Sequence, residues 1–227
     1  MQPYFLPYIG YFQLIGAVDR FVVYDNIKYT KKGWINRNRM LQNGADVMFS
    51  LPLKSDSDYL DIAERELTPD FNGDKLLAQI ANNYRRAPQF AETYALMERI
   101  VRHPERNLFG YLQHALVQCC DHLGIDTEIV VSSTLPADHT LKAQERVLDL
   151  CKVTGSTTYI NAIGGVELYS KNEFRANGIE LQFLRAQALN YQQGAAPFVP
   201  WLSILDVMMF NPREAVSAHI ASGYELV

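Results

Sequence analysis

Apolar positions recur along this chain in two rhythms, and the change between them divides it into three stretches. In the first, Tyr11, Leu14, Ile15 and Val18 share one face at helical spacing, which predicts a helix over 10–18. Phe21-Val22-Val23-Tyr24 is a short unbroken apolar run, suited to a parallel strand buried on both faces, and it stops at Asp25. Residues 26–39 hold no period and read as a long polar, aromatic loop. Asn43-Gly44 then separates two extended runs, the signature of a tight hairpin over about 37–53.

The middle stretch is helical. Residues 74–86, 89–102 and 105–123 each show apolar spacings of three and four, Pro88 and Pro104 punctuate them, and Gly124 stands where a left-handed helix end is expected. After Gly124 the rhythm alternates: strand 128–131, helix 140–153, strand 157–160, helix 165–176, strand 179–184. A loop over 186–200 and helices over 201–210 and 212–221 close the chain. Alternation of this kind predicts βαβ units. The expected fold is therefore α/β, a mostly parallel Rossmann-like sheet in one domain over 1–227, with a helical insertion over about 72–124 (70–124 at its widest). Few residues precede Pro3. The pattern of extended segment, glycine, helix, buried strand and acidic residue still reads as a βαβ unit, either cut short at its first strand or with Met1–Phe5 as that strand's tail.

The 227 residues are 48% hydrophobic, enough for one well-buried core. A formal net charge of −4 without a long basic tract argues against general nucleic-acid or membrane-surface binding. No apolar run approaches the ~20 residues of a membrane span, and the first residues do not resemble a secretory leader. The three cysteines, Cys119, Cys120 and Cys151, form no CxxC and read as buried reduced thiols of a cytoplasmic protein.

In an open parallel sheet, ligands sit beyond the carboxyl ends of the strands. Asp25, Ser132-Ser133 and Asn161 follow successive strands and would share that rim. Gly164-Gly165 opens the next helix; its backbone N–H groups could receive an anion, and the pair serves equally as an ordinary turn. The segment 24–39 concentrates Lys28, Lys31, Lys32, Arg37 and Arg39 around Tyr24, Tyr29 and Trp34 in an acidic chain. Guanidinium forks fit phosphate or carboxylate, aromatic faces stack on sugars or bases, and Asn36 and Asn38 add neutral donors and acceptors. Asp25 and Lys31 are the catalytic candidates, Asp25 as general base. In 2–11 two prolines fix an extended chain and Gly10 permits a tight helix entry, while core filling explains Gln2 poorly. Gln2, Tyr11, Tyr29, Trp34, Asn36, Arg37, Asn38, Arg39, Asn161, Gly164, Gly165 and Asp206 are the binding candidates. Asp206 lies in an apolar run and needs a partner, for which an arginine of 36–39 is one choice. No metal-ligand spacing, Walker A run or GxGxxG occurs.

On these segments the chain resembles the WbqC-like family of bacterial proteins. The stretches are QPYFLPYIGYFQLI (2–15), FVVYDNIKYTKKGWINRNR (21–39), YRRAPQF (84–90), TTYINAIGGVELY (157–169), FRANGIELQF (174–183) and FVPWLSILDVMMFN (198–211). The resemblance implies a role in O-antigen (lipopolysaccharide) biosynthesis, with glycine transfer to a sugar as the suggested activity. The expected partner is an anionic nucleotide or nucleotide-sugar; the cofactor is unknown, with ATP open as a co-substrate. The chain is also distantly similar to nucleotidyltransferases of the HIGH-motif kind, Tyr8-Ile9-Gly10-Tyr11 standing where His-Ile-Gly-His stands there. Both histidines are absent, so the likeness bears on the fold rather than on adenylyl transfer. The competing expectation is a non-catalytic module that binds a nucleotide, a nucleotide-sugar or nucleic acid.

Overall fold

A computed structural model of the chain describes residues 1–194 and 196–227. Helix α1 (Ile9–Gly16) buries almost its whole length, as its continuous apolar sequence requires, and leads into strand β1 (Arg20–Val23). β2 (Arg37–Gln42) and β3 (Ala45–Ser50) form the expected antiparallel hairpin. Asn43 and Gly44 take φ of 51° and 78° at its turn, the left-handed pair that an Asn-Gly hairpin demands. Helices α2 (Gly73–Tyr84), α3 (Phe90–Val101) and α4 (Leu108–Leu123) follow in sequence. Asn72 and Asn107 cap α2 and α4 by accepting from backbone N–H groups, and Gly124 ends α4 at φ 67°.

β4 (Glu128–Val131), α5 (Ala143–Val153), β5 (Thr158–Ala162), α6 (Lys171–Ala176) and β6 (Glu180–Ala186) follow in the expected alternation. The helix expected over 165–176 is divided: residues 163–168 form a 3-10 segment, and α6 begins only after Ser170, whose side chain accepts from Glu173 N. α7 (Ile204–Phe210) starts three residues later than expected, because Trp201 sits at φ 61° and Ser203 caps the helix by accepting from Leu205 N. α8 (Arg213–Ser222) is followed by a short strand, β7 (Tyr224–Leu226), that the apolar pattern did not announce.

Among the described residues the strands form three separate sheets: β1 parallel to β4, the β2–β3 hairpin, and β5–β6–β7, with β5 parallel to β6 and β7 antiparallel to it. One βαβ unit, β5–α6–β6, is present, but a continuous Rossmann-like sheet is not assembled, because β1 and β5 border a cavity instead of each other. One large core runs through α1, the hairpin, α2, α3, α4, α7 and α8. A smaller one, around Phe174, Leu181 and Phe183, fills the space between α5, α6 and β6. Cys119, Cys120 and Cys151 are buried free thiols, as expected, and burial raises all three, Cys151 to about 11. No described helix is long and apolar enough to cross a membrane.

Candidate functional site

The parallel register of β1 with β4 pairs Val23 with Val131, so both strands end at one level. Tyr24, Asp25 and Asn26 leave one strand there, and Ser132 and Ser133 leave the other. Asp25 is buried, and its Oδ1 accepts from Ser133 N at 3.0 Å, tying the two loops together. The first turn of α5 brings Arg146 over this rim. Its guanidinium lies 4.8 Å from the centre of the Tyr24 ring, donates from Nη1 to Asn26 O at 3.3 Å and from Nη2 to Asn26 Oδ1, and reaches Ser132 Oγ at 3.4 Å. Arg146 Nε is buried with no partner. His139 adds a wall: its Nδ1 stands 3.1 Å from Asn26 Nδ2 and its Nε2 3.2 Å from Leu135 O. An amide donor on one nitrogen and a carbonyl on the other select the tautomer protonated at Nε2.

Tyr24 also lines, with Met1, Tyr159 and Asn161, a cavity of about 520 Å³ between β1 and β5. Burial is the main reason the Tyr24 phenol is raised to about 12, partly opposed by Arg146. Asn161 is buried at the end of β5; its Oδ1 accepts from Ala162 N, and its amide packs on Gly165, where a Cβ would come within 3.0 Å of Nδ2. Gly165 thus serves close packing, while Gly164 is exposed beside it.

The segment 24–39 is folded differently from the expectation of one cationic mouth. Residues 25–29 run along 60–63, with Tyr29 N, Ile62 N and Ala63 N donating to Leu60 O, Ile27 O and Asp25 O. The acidic stretch of Asp56, Asp58, Asp61, Glu64 and Glu66 therefore lies beside the basic one. Lys31 pairs with Asp58 at 2.6 Å, and Lys28 lies 4.7 Å from the Tyr59 ring. Arg65, buried, stacks 4.7 Å from Tyr29. Arg37 turns back to its own loop, donating from Nε to Gly33 O at 2.8 Å, and does not line the cavity that Asn161 and Tyr24 share. Asn36 accepts from Tyr29 OH and donates to Leu51 O.

Asn38 is buried and donates to Phe5 O and Leu6 O, which holds the Pro-rich N-terminal segment where Leu6 takes φ 46°. Tyr11 OH donates to Gln2 O at 2.7 Å, and Gln2 Oε1 meets Tyr4 OH. A separate aromatic face gathers the remaining candidates. Arg39 covers Trp34 at 5.5 Å, pairs with Asp46 and donates to Trp201 O, while Trp201 meets Tyr8 edge-on. Asp206 finds no arginine. It accepts from Tyr84 OH at 2.8 Å, Tyr191 OH at 2.6 Å and Gln193 Nε2 at 2.7 Å; these neutral donors satisfy the carboxylate inside the core, which corrects the expected partner.

The structure thus brings Asp25 to a rim with Arg146, Asn26 and Ser132, and places Lys31, Arg37 and Arg39 elsewhere. Arg146 is the residue the sequence reading missed. It interrupts the apolar spacing of α5 as a surface charge would, and its only sequence signal is its place in the first turn of a helix that follows a strand. Among the described residues no group of three His, Cys, Asp or Glu side chains is set to hold a metal.

A family model described as "WbqC-like protein family" matches residues 2–218. An uncharacterized protein of Mycobacterium tuberculosis, Rv1507c, is 27% identical over 216 residues, covering 93% of this chain and 91% of that protein. No solved structure matches significantly.

Proposed function

This chain belongs to the WbqC-like protein family, and from that premise we propose that it is a transferase of bacterial surface-polysaccharide (O-antigen) biosynthesis, most specifically an aminoacyl (glycyl) transferase acting on an activated sugar. The observation that carries the reading is Arg146, a guanidinium held over the strand ends against the Tyr24 ring, Asn26 and Ser132. A cation stacked on Tyr24, on the rim that Asp25 shares, suits the phosphate of a nucleotide or nucleotide-sugar. In the transfer, an amine on the sugar attacks the acyl carbon of an acyl phosphate or acyl-adenylate, for which ATP is the natural source. The C–N bond forms, the C–O bond to phosphate breaks, and the phosphate leaves with the electron pair. Asp25 is the group assigned to take the amine proton. Asn26 and Asn161 orient the sugar. Lys31, Arg37 and Arg39, with their partners on other faces, are left to an outer, positioning role.

Calorimetric titration of nucleotides and nucleotide-sugars into the wild type and Arg146→Ala tests the reading. Saturable binding should weaken at least about tenfold in the variant, a loss of about 1.4 kcal/mol or more, and Arg146→Lys should recover part of it. Equal affinity in all three forms would remove Arg146 from the site and the proposal with it. Mass spectrometry of mixtures with glycine, ATP and the bound sugar nucleotide then separates the two classes: tight binding with no mass gain on the sugar would favour a non-catalytic nucleotide-sugar module.

A further inference from the structure

The chain has two tryptophans, Trp34 and Trp201, and both stand in solvent, 42% and 65% exposed. Tryptophan is on average highly buried, so two exposed indoles need a reason. They belong to one face. The Arg39 guanidinium lies 5.5 Å from the centre of the Trp34 ring, and its Nη2 donates to Trp201 O at 3.2 Å. The Tyr8 ring meets the Trp201 ring edge-on, with 6.3 Å between centres. The row Trp34, Arg39, Trp201, Tyr8 is thus assembled from the loop before β2, from β2, and from the segments that precede α7 and α1.

The two ends of the row are held in place. Trp201 takes φ 61°, a region that bulky residues enter only against steric cost and keep only where the surroundings fix them. Here Ser203 N donates to Arg39 O and Ile204 N to Pro7 O, which clamps the turn after Trp201 to β2 and to the N-terminal segment. The indole gains little burial in return, so the strain is explained by what the ring meets outside the chain. Tyr8 folds over Gly10, where a Cβ would come within 2.3 Å of the Tyr8 Cε2 atom.

Beside Trp201 is a slot of about 80 Å³. Tyr8, Tyr191, Phe198 and Leu202 give it apolar walls, and Gln187 and Asn190 bring amides to it. Sites that enclose a whole small molecule have ~300–1,000 Å³, so this slot takes a substituent while the rest of the ligand lies on the open aromatic face. A pyranose suits such a face. The weakly positive C–H bonds on one side of the sugar ring pack on the negative face of an indole, and its hydroxyls find amide and guanidinium partners at the edge. A stable protein interface needs about 800 Å² on each side with an apolar centre; the Arg39–Asp46 ion pair and the two amides interrupt this one.

We propose that this face is a carbohydrate platform for a neutral acetamido sugar, separate from the strand-end rim. The pyranose stacks on Trp201, its acetamido methyl enters the slot, and its amide meets Gln187 and Asn190. Met1, whose carbonyl accepts from Tyr24 N at the rim, is seven residues from Tyr8. No more than ~25 Å of extended chain can separate them, a distance that a short oligosaccharide crosses. The platform does not depend on what the rim binds; its use as an acceptor subsite rests on the transferase reading.

With both tryptophans on this face, indole fluorescence of the full chain reports on it directly. Chitotriose should shift the emission saturably, and maltotriose, which lacks acetamido groups, should bind at least about tenfold more weakly. Trp34→Phe leaves Trp201 as the reporter and should keep the response. Trp201→Gly removes the ring and accepts φ 61° without strain. By calorimetry it should bind chitotriose at least about tenfold more weakly, while its melting temperature falls by less than roughly 3 °C. Arg146→Ala should leave chitotriose affinity unchanged, which distinguishes a failure here from a failure at the rim. The proposal is overturned by the absence of a saturable response to chitotriose, by equal affinity for the two oligosaccharides, or by undiminished binding in Trp201→Gly. A larger fall in the melting temperature of that variant would mark the ring as structural, and a parallel loss in Arg146→Ala would move the sugar to the rim; either result also overturns it.

Discussion

Asp206 has no exposed surface, and the three side chains around its carboxylate, Tyr84, Tyr191 and Gln193, all donate to it. Burial is the largest influence on its acidity and raises it above the ordinary 3.8, against the pull of the three donors. A raised folded pKa means that the folded chain keeps a proton the unfolded chain has already released. Its contribution to stability is therefore greatest in acid and falls as pH rises from 3.8 through the folded value. Asp206→Ala strands three buried donors, and urea denaturation at neutral pH should show a loss of roughly 3 kcal/mol; a loss below about 1 kcal/mol would mean that the network contributes little. The need for a partner was legible from an acid inside Leu205–Met209. The partners were not, since Tyr84 belongs to a helix more than a hundred residues away and no spacing relates the two. Arg146 escaped for the same reason: what makes it a site residue is its position over Tyr24 and Asn26, which only folding brings about.

At the scale of elements, the N-terminal segment is held more by other segments than by itself. Asn38 of β2 donates to Phe5 O and Leu6 O, Ser203 Oγ donates to Leu6 O, Ile204 N donates to Pro7 O, and Phe5 N donates to Ile35 O. These bonds oppose the cost of Leu6 at φ 46°, about 1–3 kcal/mol for a residue in a sparsely populated backbone region. Asn38→Ala should lower stability by about 1–2 kcal/mol. Because Asn38 and Ser203 share the Leu6 carbonyl, a double-mutant cycle of Asn38→Ala with Ser203→Ala should depart from additivity by at least about 0.5 kcal/mol. Strict additivity would show that the two bonds act independently. Helices, hairpin and strands were readable because their periods and end signals are local. The docking of 25–29 on 60–63, and of Lys31 on Asp58, was not, because a solvated acidic run and a paired one have the same composition.

For the molecule as a whole, the burial of the Met1 amine against β1 has an electrostatic consequence. Burial, with a smaller contribution from Arg146, lowers the Met1 amine from 8.0 to about 5. Between those values the unfolded chain carries a proton that the folded chain does not. Stability should therefore rise with pH across this window, by up to about 1.4 kcal/mol per pH unit. Urea denaturation at pH 6 and pH 8 measures the slope, and acetylating the amine should flatten it. An unchanged slope after acetylation would assign the pH dependence to the histidines, of which His103, His122 and His219 are also lowered by burial.

Local order was the sequence's to determine: the α/β class, the order of helices and strands, the Asn-Gly hairpin, the left-handed stop at Gly124 and the apolar thiols. Each depends on periodicity or on the backbone freedom of a few residues, and both are properties of neighbours in the chain. Tertiary structure alone decided which cation overhangs the strand ends, which donors surround Asp206, and that β1 and β5 stand apart across a cavity. Those outcomes are set by distances between residues far apart in sequence, where charge is neutralised and backbone edges are met only after the chain has packed.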